Sequence, residues 1–249
     1  PMDRMIYTVM AGARQLMVRQ ETLANNLANA STPGFRADLD AMRAVPLQGN
    51  VGILDSRISV ASTTPSADFR HGAVEATGRD LDVAIVGDGF IAVEGRDGRE
   101  GYTRNGGFDV GADGILRTRS GLTVLGDGGP ITVPENAKIE IGRDGTVSAF
   151  VAGNTKNGNT LGRIKLVNPP TETLSKGLDG LFRINGGGTA ESDPNVRVVR
   201  GSIEASNVNV VETMVGMIAL ARQYELTMKT ISNSEANSRD SSKLLQPNS

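Results

Sequence analysis

The string "VAIVGDGFIA", residues 83–92, sets Gly87, Gly89 and Ala92 in the G-x-G-x-x-A pattern of a dinucleotide fingerprint. That chemistry needs a helix to open after the glycines, so that its N-terminal amides meet a pyrophosphate. The residues after Gly89, "FIAVEGRDG", instead alternate as a strand and turn at Gly98, so the glycines read as a hairpin turn. Asp-Gly pairs at Asp97, Asp113, Asp127 and Asp144 raise the question of calcium, but their spacings of 16, 14 and 17 residues are not the nine-residue period of calcium β-rolls. As an EF-hand loop, "DVGADGILRTRS" would put Ser120 where a bidentate Glu is required. His71 is the single histidine, which removes any metal site with paired histidines, and it reads as a solvated or locally bonded side chain. Asp80 and Asp82 share one face of a strand without identifying an acid and a base. No catalytic set converges, and the expectation is a non-enzyme with no metal and no cofactor.

The elements that carry these residues fall into three parts. All eight methionines lie at position 42 or earlier or at 214 or later, whereas 25 of the 31 glycines fall between 72 and 188. In the N-terminal part, Ile6, Met10, Ala13, Met17, Ala24 and Leu27 repeat at helical spacing, with Leu16 and Leu23 beside them. The spacing predicts an amphipathic helix over 3–29, ended by Pro33 and Gly34. In the C-terminal part, Met214, Met217, Ala221, Tyr224, Met228 and Ile231 repeat in the same way, flanked by Val211 and Ile218. Asn209 followed by Glu212 reads as a capping box, and the helix is predicted over 208–242.

Between the helices, short β-branched runs such as "LDVAIV", "KIEIG" and "GRIKLV" alternate with Asp-Gly and Asn-Gly turns, which predicts an antiparallel all-β domain. Residues 31–70, with Pro33, Pro46 and Pro65, read as an extended connector. The expected organisation is α+β: an N-terminal core helix and turn (1–35), a connector (36–75), a central β domain (76–200) and a C-terminal core helix (201–249).

Global properties exclude some partners. A formal charge of -2 and a pI near 5.6, with dispersed Lys and Arg, give no basic field for nucleic acid. No apolar run is long enough for a transmembrane helix or a signal-peptide core, so no membrane insertion is expected and export would proceed without a cleaved signal. With no cysteine, redox usage says nothing of the compartment. The methionine-bearing stripes allow two readings. Either the helices satisfy each other in one core, or their combined surface is too apolar for one pair to bury and Met adapts it to several partners.

Three segments resemble the axial proteins of the bacterial flagellum, the rod and hook subunits: "LANNLANASTPGFR" (23–36), "GRDLDVAIVGDGFIAVEGRDGREGYTRNGGFDVGADGIL" (78–116) and "GSIEASNVNVVETMVGMIALARQYEL" (201–226). The start "MDRMIYTVMAGA" and the stretch "GGPITVPENAKIEIGRDGTVSA" are most similar to the proximal-rod members, with distal rod and hook subunits as the alternatives. The resemblance implies a structural subunit whose paired terminal helices form the core of a helical, torque-transmitting tube and whose β domain faces outward. It implies other rod subunits, copies of the same chain and the flagellar type III export apparatus as partners, and a place in the basal-body rod spanning the periplasm. The expected subunit-contact residues are an apolar stripe, Met10, Met17, Leu23, Leu27, Met214, Ile218, Ala221 and Met228, and polar groups near the helix ends, Asn25, Asn26, Asn29, Asn207 and Asn209. The competing class is a ligand-binding β domain merely braced by helices, for which the sequence offers one histidine and no aromatic cluster.

Overall fold

The computed structural model describes residues 2–39, 42–46, 58–62, 66–151 and 158–244. Much of the expected connector, including 47–57, lies outside the described residues. The architecture is α+β, with two long helices and antiparallel strand pairs between them. By compactness the chain divides into two units: one holds both helices, and the other runs from Asn29 to Val208. The described residues of the stretch expected as a connector fall in the second unit.

Helix α1 spans Met2–Ala28 and α2 spans Val210–Leu244. At 27 and 35 residues they measure about 40 and 50 Å at 1.5 Å per residue. After α1, the Thr32 amide donates to the Asn29 carbonyl at 3.0 Å and the Thr32 hydroxyl to Asn29 Oδ1 at 3.2 Å, closing a turn just before Pro33. At the start of α2, Asn209 Oδ1 accepts from the Glu212 amide at 3.1 Å, and the Asn209 carbonyl accepts from the Thr213 amide and hydroxyl at 2.9 and 2.7 Å. Asn209 is therefore the N-cap, satisfying amides that the helix itself leaves unpaired. Within this unit, a Cβ built on Gly216 of α2 would come 3.1 Å from Leu23 Cδ1 of α1, so the glycine admits a close approach of the two helices there.

The larger unit is organised by a nine-stranded antiparallel sheet. Its main path runs Leu174–Lys176, Phe182–Ile184, Glu100–Thr103, Phe90–Glu94, Thr123–Gly126, Leu116–Thr118, Phe108–Val110. A three-stranded sheet (Ala137–Ile141, Thr146–Val151, Asn159–Arg163) and short pairs, among them Val83–Val86 with Arg197–Arg200 and Val74–Ala76 with Ser202–Glu204, complete it. The core is aliphatic around Ile91, Val93, Leu116, Val124, Val147 and Ile164, all fully buried. Full burial of such side chains contributes about 1.5–3 kcal/mol each. A second cluster gathers Phe69, Phe90 and Phe182, with ring centroids 5.4–6.4 Å apart.

One turn design recurs four times. In "GRDGR" (95–99), "GADGI" (111–115), "GRDGT" (142–146) and "GLDGL" (177–181), the first glycine's amide donates to the carbonyl of the fifth residue. The second glycine's amide donates to the carbonyl of the first. In each, the aspartate Oδ1 accepts from the amide two residues on, at 3.1–3.2 Å. The second glycine has φ between 73° and 86°, the left-handed region that closes a tight hairpin without a Cβ clash. The Asp side chain thus works as a backbone mimic, not as a ligand. Gly87 and Gly89 do not form the expected hairpin. Val83–Val86 pairs with Arg197–Arg200 whereas Phe90–Glu94 pairs with Glu100–Thr103, so the two glycines let the chain pass from one sheet to another.

Candidate assembly interface

The apolar residues expected to make contacts divide by position. On α1, Leu23 and Leu27 are half-buried, while Met10 and Met17 are 61% and 50% exposed. On α2, Met214, Ile218, Ala221 and Met228 are all exposed. The covered side of α2 is Thr213, Met217, Leu220, Tyr224, Thr227 and Ile231, one residue earlier in phase and so about 100° around the helix. Val211, Val215 and Leu226 extend the exposed side. Both faces of α2 are therefore apolar, and one of them is open.

The asparagines separate by role. Asn25 is exposed, Asn26 is buried, and Asn29 closes the turn after α1. Asn209 caps α2. Asn207 is a latch inside the larger unit: its Oδ1 accepts from the Ala37 amide at 2.7 Å, and its Nδ2 donates to the carbonyls of Asp68 and Arg70 at 2.8 and 2.9 Å.

Asn207 belongs to a joint that the sequence alone does not reveal. Three segments meet there: Gly34–Asp38, Asp68–Gly72 and Glu204–Asn207. The Gly34 amide donates to the Glu204 carbonyl at 2.7 Å, and the Asn207 amide to the Phe35 carbonyl at 3.3 Å. Lys176 Nζ donates to the Arg36 carbonyl at 2.7 Å and Asp38 Oδ1 at 2.6 Å, and lies 3.8 Å above the Phe35 ring. Burial lowers the Lys176 pKa, and the Asp38 carboxylate opposes that shift. Under this layer is a buried ion cluster. Glu204 pairs with Arg36 at 2.6 Å and with Arg104 at 2.6 Å, and the three side chains are 1–2% exposed. Glu204 Oε1 also accepts from the Gly72 amide at 2.9 Å. Arg104 donates Nε to Glu204 at 2.7 Å and Nη1 to the carbonyls of Gly87 and Gly89 at 2.8 Å each.

His71, expected to be solvated or locally bonded, is 47% exposed and bonds to Asp88, and the other side of its ring meets this cluster. Its Nδ1 lies 3.4 Å from Arg36 Nη2 and 3.2 Å from Arg104 Nη2, more than thirty residues away in sequence. A guanidinium only donates, so Nδ1 accepts and the ring's remaining nitrogen, 3.1 Å from Asp88 Oδ1, carries the proton. Among the described residues, no cluster of His, Asp and Glu could hold a metal ion, and no helix is long and apolar enough to cross a membrane.

The structure thus combines an exposed apolar helix face, a helix-free turn at Gly87 and Gly89, and an ion cluster where three distant segments meet inside the larger unit. Comparison with known families gives the class. The family described as "Flagella basal body rod protein" matches residues 6–36, "Flagellar hook protein FlgE/F/G D1 domain" matches 84–149, and "Flagellar basal body rod FlgEFG protein C-terminal" matches 199–244. The chain belongs to the flagellar basal-body rod proteins, which are structural subunits of the rod. Within that family it is most like FlgF. It is 46% identical to the Salmonella typhimurium flagellar basal-body rod protein FlgF over 98% of this chain and 99% of that one. It is 35% identical to the Caulobacter vibrioides FlgF over 96% of each. The FlgG of Bacillus subtilis is 30% identical over 94% of this chain and 96% of its own length.

Proposed function

We propose that this chain is a proximal-rod subunit that polymerises through its terminal helices into the tube that transmits torque. Helices α1 and α2 pair along the Leu23–Gly216 approach and present a second apolar face carrying Met10, Met17, Met214, Ile218, Ala221 and Met228. That face packs on neighbouring subunits, either rod proteins of the same family or copies of this chain. Because the patches brought together are unlike, the contact is head-to-tail and builds an open helical array instead of a closed dimer. The β unit faces outward, and the chain reaches the periplasm through the flagellar type III apparatus. The observation that carries the reading is the open apolar side of α2, where Ile218 is 57% exposed between Val215 and Leu226.

Ile218→Asp tests it. An aspartate at an open position leaves the free chain folded, with an unchanged unfolding midpoint, but places a desolvated charge in the assembled seam at a cost of several kcal/mol. Swimming and incorporation into purified basal bodies should both be lost. A variant that assembles and swims normally would remove α2 from the seam.

A further inference from the structure

Two asparagines of the larger unit are followed by the same two residues: Asn105-Gly106-Gly107 and Asn185-Gly186-Gly187. Asn-Gly is the pair in which a side-chain amide is most open to attack by its own backbone, because glycine has no Cβ to obstruct the approach of its nitrogen. A third pair begins at Asn157, which lies outside the described residues. With the same residues after each asparagine, a difference in reactivity between Asn105 and Asn185 has to come from the fold.

The reaction is an intramolecular substitution. The glycine nitrogen gives up its proton and bonds to the asparagine Cγ, the Cγ–Nδ2 bond breaks, and Nδ2 leaves as ammonia. Water then opens the cyclic imide at either carbonyl, giving aspartate or isoaspartate, so the balance is water taken up and ammonia released. The rate is set by whether Cγ and the next nitrogen can be brought into line.

At Asn105 the structure prevents that alignment. Its Oδ1 accepts from the Gly107 amide at 3.1 Å, and its own amide donates to Thr103 Oγ1 at 3.1 Å. The carbonyls of Gly106 and Gly107 accept from the Val83 and Arg119 amides at 2.9 and 3.0 Å. Gly106 is buried, and a Cβ there would overlap the Val83 carbonyl oxygen. Neither the side chain nor the following peptide has room to turn.

Asn185 is held differently. Asn185, Gly186, Gly187 and Gly188 are all exposed, and a Cβ on any of the three glycines would meet nothing within 4 Å. Among the described residues, neither the Asn185 side-chain amide nor the Gly186 N–H has a hydrogen-bond partner. The glycines have φ between 83° and 112°, and the turn is closed by a 3.2 Å bond from the Gly187 amide to the Ile184 carbonyl. The loop is anchored on both sides, by the Asn185 amide on the Thr173 carbonyl at 2.7 Å and the Ala190 amide on the Tyr102 hydroxyl at 2.6 Å. Between those anchors the reacting groups have space to swing together.

We infer that Asn185 is a site of spontaneous deamidation in the folded chain, and that Asn105 is not. The product places a new carboxylate in the loop between Ile184 and Ala190, with an extra backbone methylene in its isoaspartate form. The subunit therefore gains negative charge at this loop as it ages.

The test is to incubate the purified full chain in mildly alkaline buffer and follow the peptides holding Asn105 and Asn185 by mass spectrometry, through the mass gain of amide-to-carboxyl conversion. In the folded chain Asn185 should convert at least about tenfold faster, a ratio that the loss of one or two hydrogen bonds at Asn105 is enough to explain. In urea the two rates should converge, because the unfolded chain gives both sites the same freedom. An isoaspartyl methyltransferase supplied with S-adenosylmethionine should label the Asn185 peptide of the aged folded chain. Equal folded-state rates, or an Asn185 that stays intact while both sites convert in urea, overturn the site. A folded-state ratio that persists unchanged in urea overturns the fold as its cause.

Discussion

Glu204→Ala should be the most damaging single truncation in the β unit. The carboxylate is 1% exposed, and its removal strands the Arg36 and Arg104 guanidiniums, each 2% exposed, with no anion between them. Breaking a buried pair in this way costs about 3–5 kcal/mol, because the remaining charge stays desolvated. The Gly72 amide also loses its acceptor, which adds about 1 kcal/mol or more for a buried donor. A sum near 4–6 kcal/mol, divided by a urea slope of about 2 kcal/mol/M, moves the unfolding midpoint down by about 2–3 M. The near-ultraviolet circular dichroism of Tyr102, which is fully buried in this unit, reports the transition. The control is Glu140→Ala. Glu140 pairs with Lys138 at 3.8 Å and Arg200 at 3.5 Å on the surface, where a salt bridge contributes about 0–1 kcal/mol. If the Glu204→Ala midpoint falls no further than that of Glu140→Ala, the cluster is not what locks the joint.

The turns supply two more expected outcomes. Gly34 has φ +70° and a Cβ there would meet the Arg104 backbone carbon at 2.3 Å, whereas at Gly98, φ +73°, nothing lies within 4 Å. Gly98→Ala should therefore show only the left-handed backbone penalty of about 1–2 kcal/mol, while Gly34→Ala displaces the joint and gives a clearly larger loss in urea unfolding; equal losses would mean the turn at Gly34 is free to move. The turn aspartates should titrate low. Arg99 hydrogen bonding holds Asp97 below its ordinary value, Arg117 does the same for Asp113, Thr146 for Asp144 and Arg183 for Asp179. A depressed folded-state pKa means that the stabilisation is present above the unfolded value of about 3.9 and is lost as pH falls through the folded one. Carboxyl ¹³C shifts should place all four midpoints below 3.8, with the hairpin amides at Arg99, Ile115, Thr146 and Leu181 losing exchange protection in the same range. Midpoints at the ordinary value would show that the Asp side chains do not hold these turns.

What could be read from the sequence was whatever is encoded over a few residues. Helical periodicity located α1 and α2 to within about two residues. Asn209 announced its cap, and Asp followed by Gly announced three of the four repeated hairpins. The fourth, at Asp179, has the same G-x-D-G form and carries the same local signal. Phase was harder. Met is adaptable and apolar, so a stripe rich in Met does not distinguish a face covered by the partner helix from one left open, and a shift of one residue exchanges Met217 and Leu220 for Ile218 and Ala221. The joint was out of reach. Arg104 and Glu204 are 100 residues apart, and nothing near either in sequence says that one will neutralise the other.

That cluster has a mechanical consequence within the larger unit. It ties together three segments that are far apart in the chain, all of them inside the larger unit. Apolar contacts resist separation but are tolerant of sliding, since one methyl group replaces another at little cost. A carboxylate held between two guanidiniums, with the Gly72 amide on one oxygen, fixes direction as well as distance. Asn207 adds three hydrogen bonds between the outgoing segment and the two others. The chain therefore combines two kinds of chemistry in separate places: adaptable methionine and valine on the exposed side of α2, and directional polar bonding where three distant segments meet inside the larger unit.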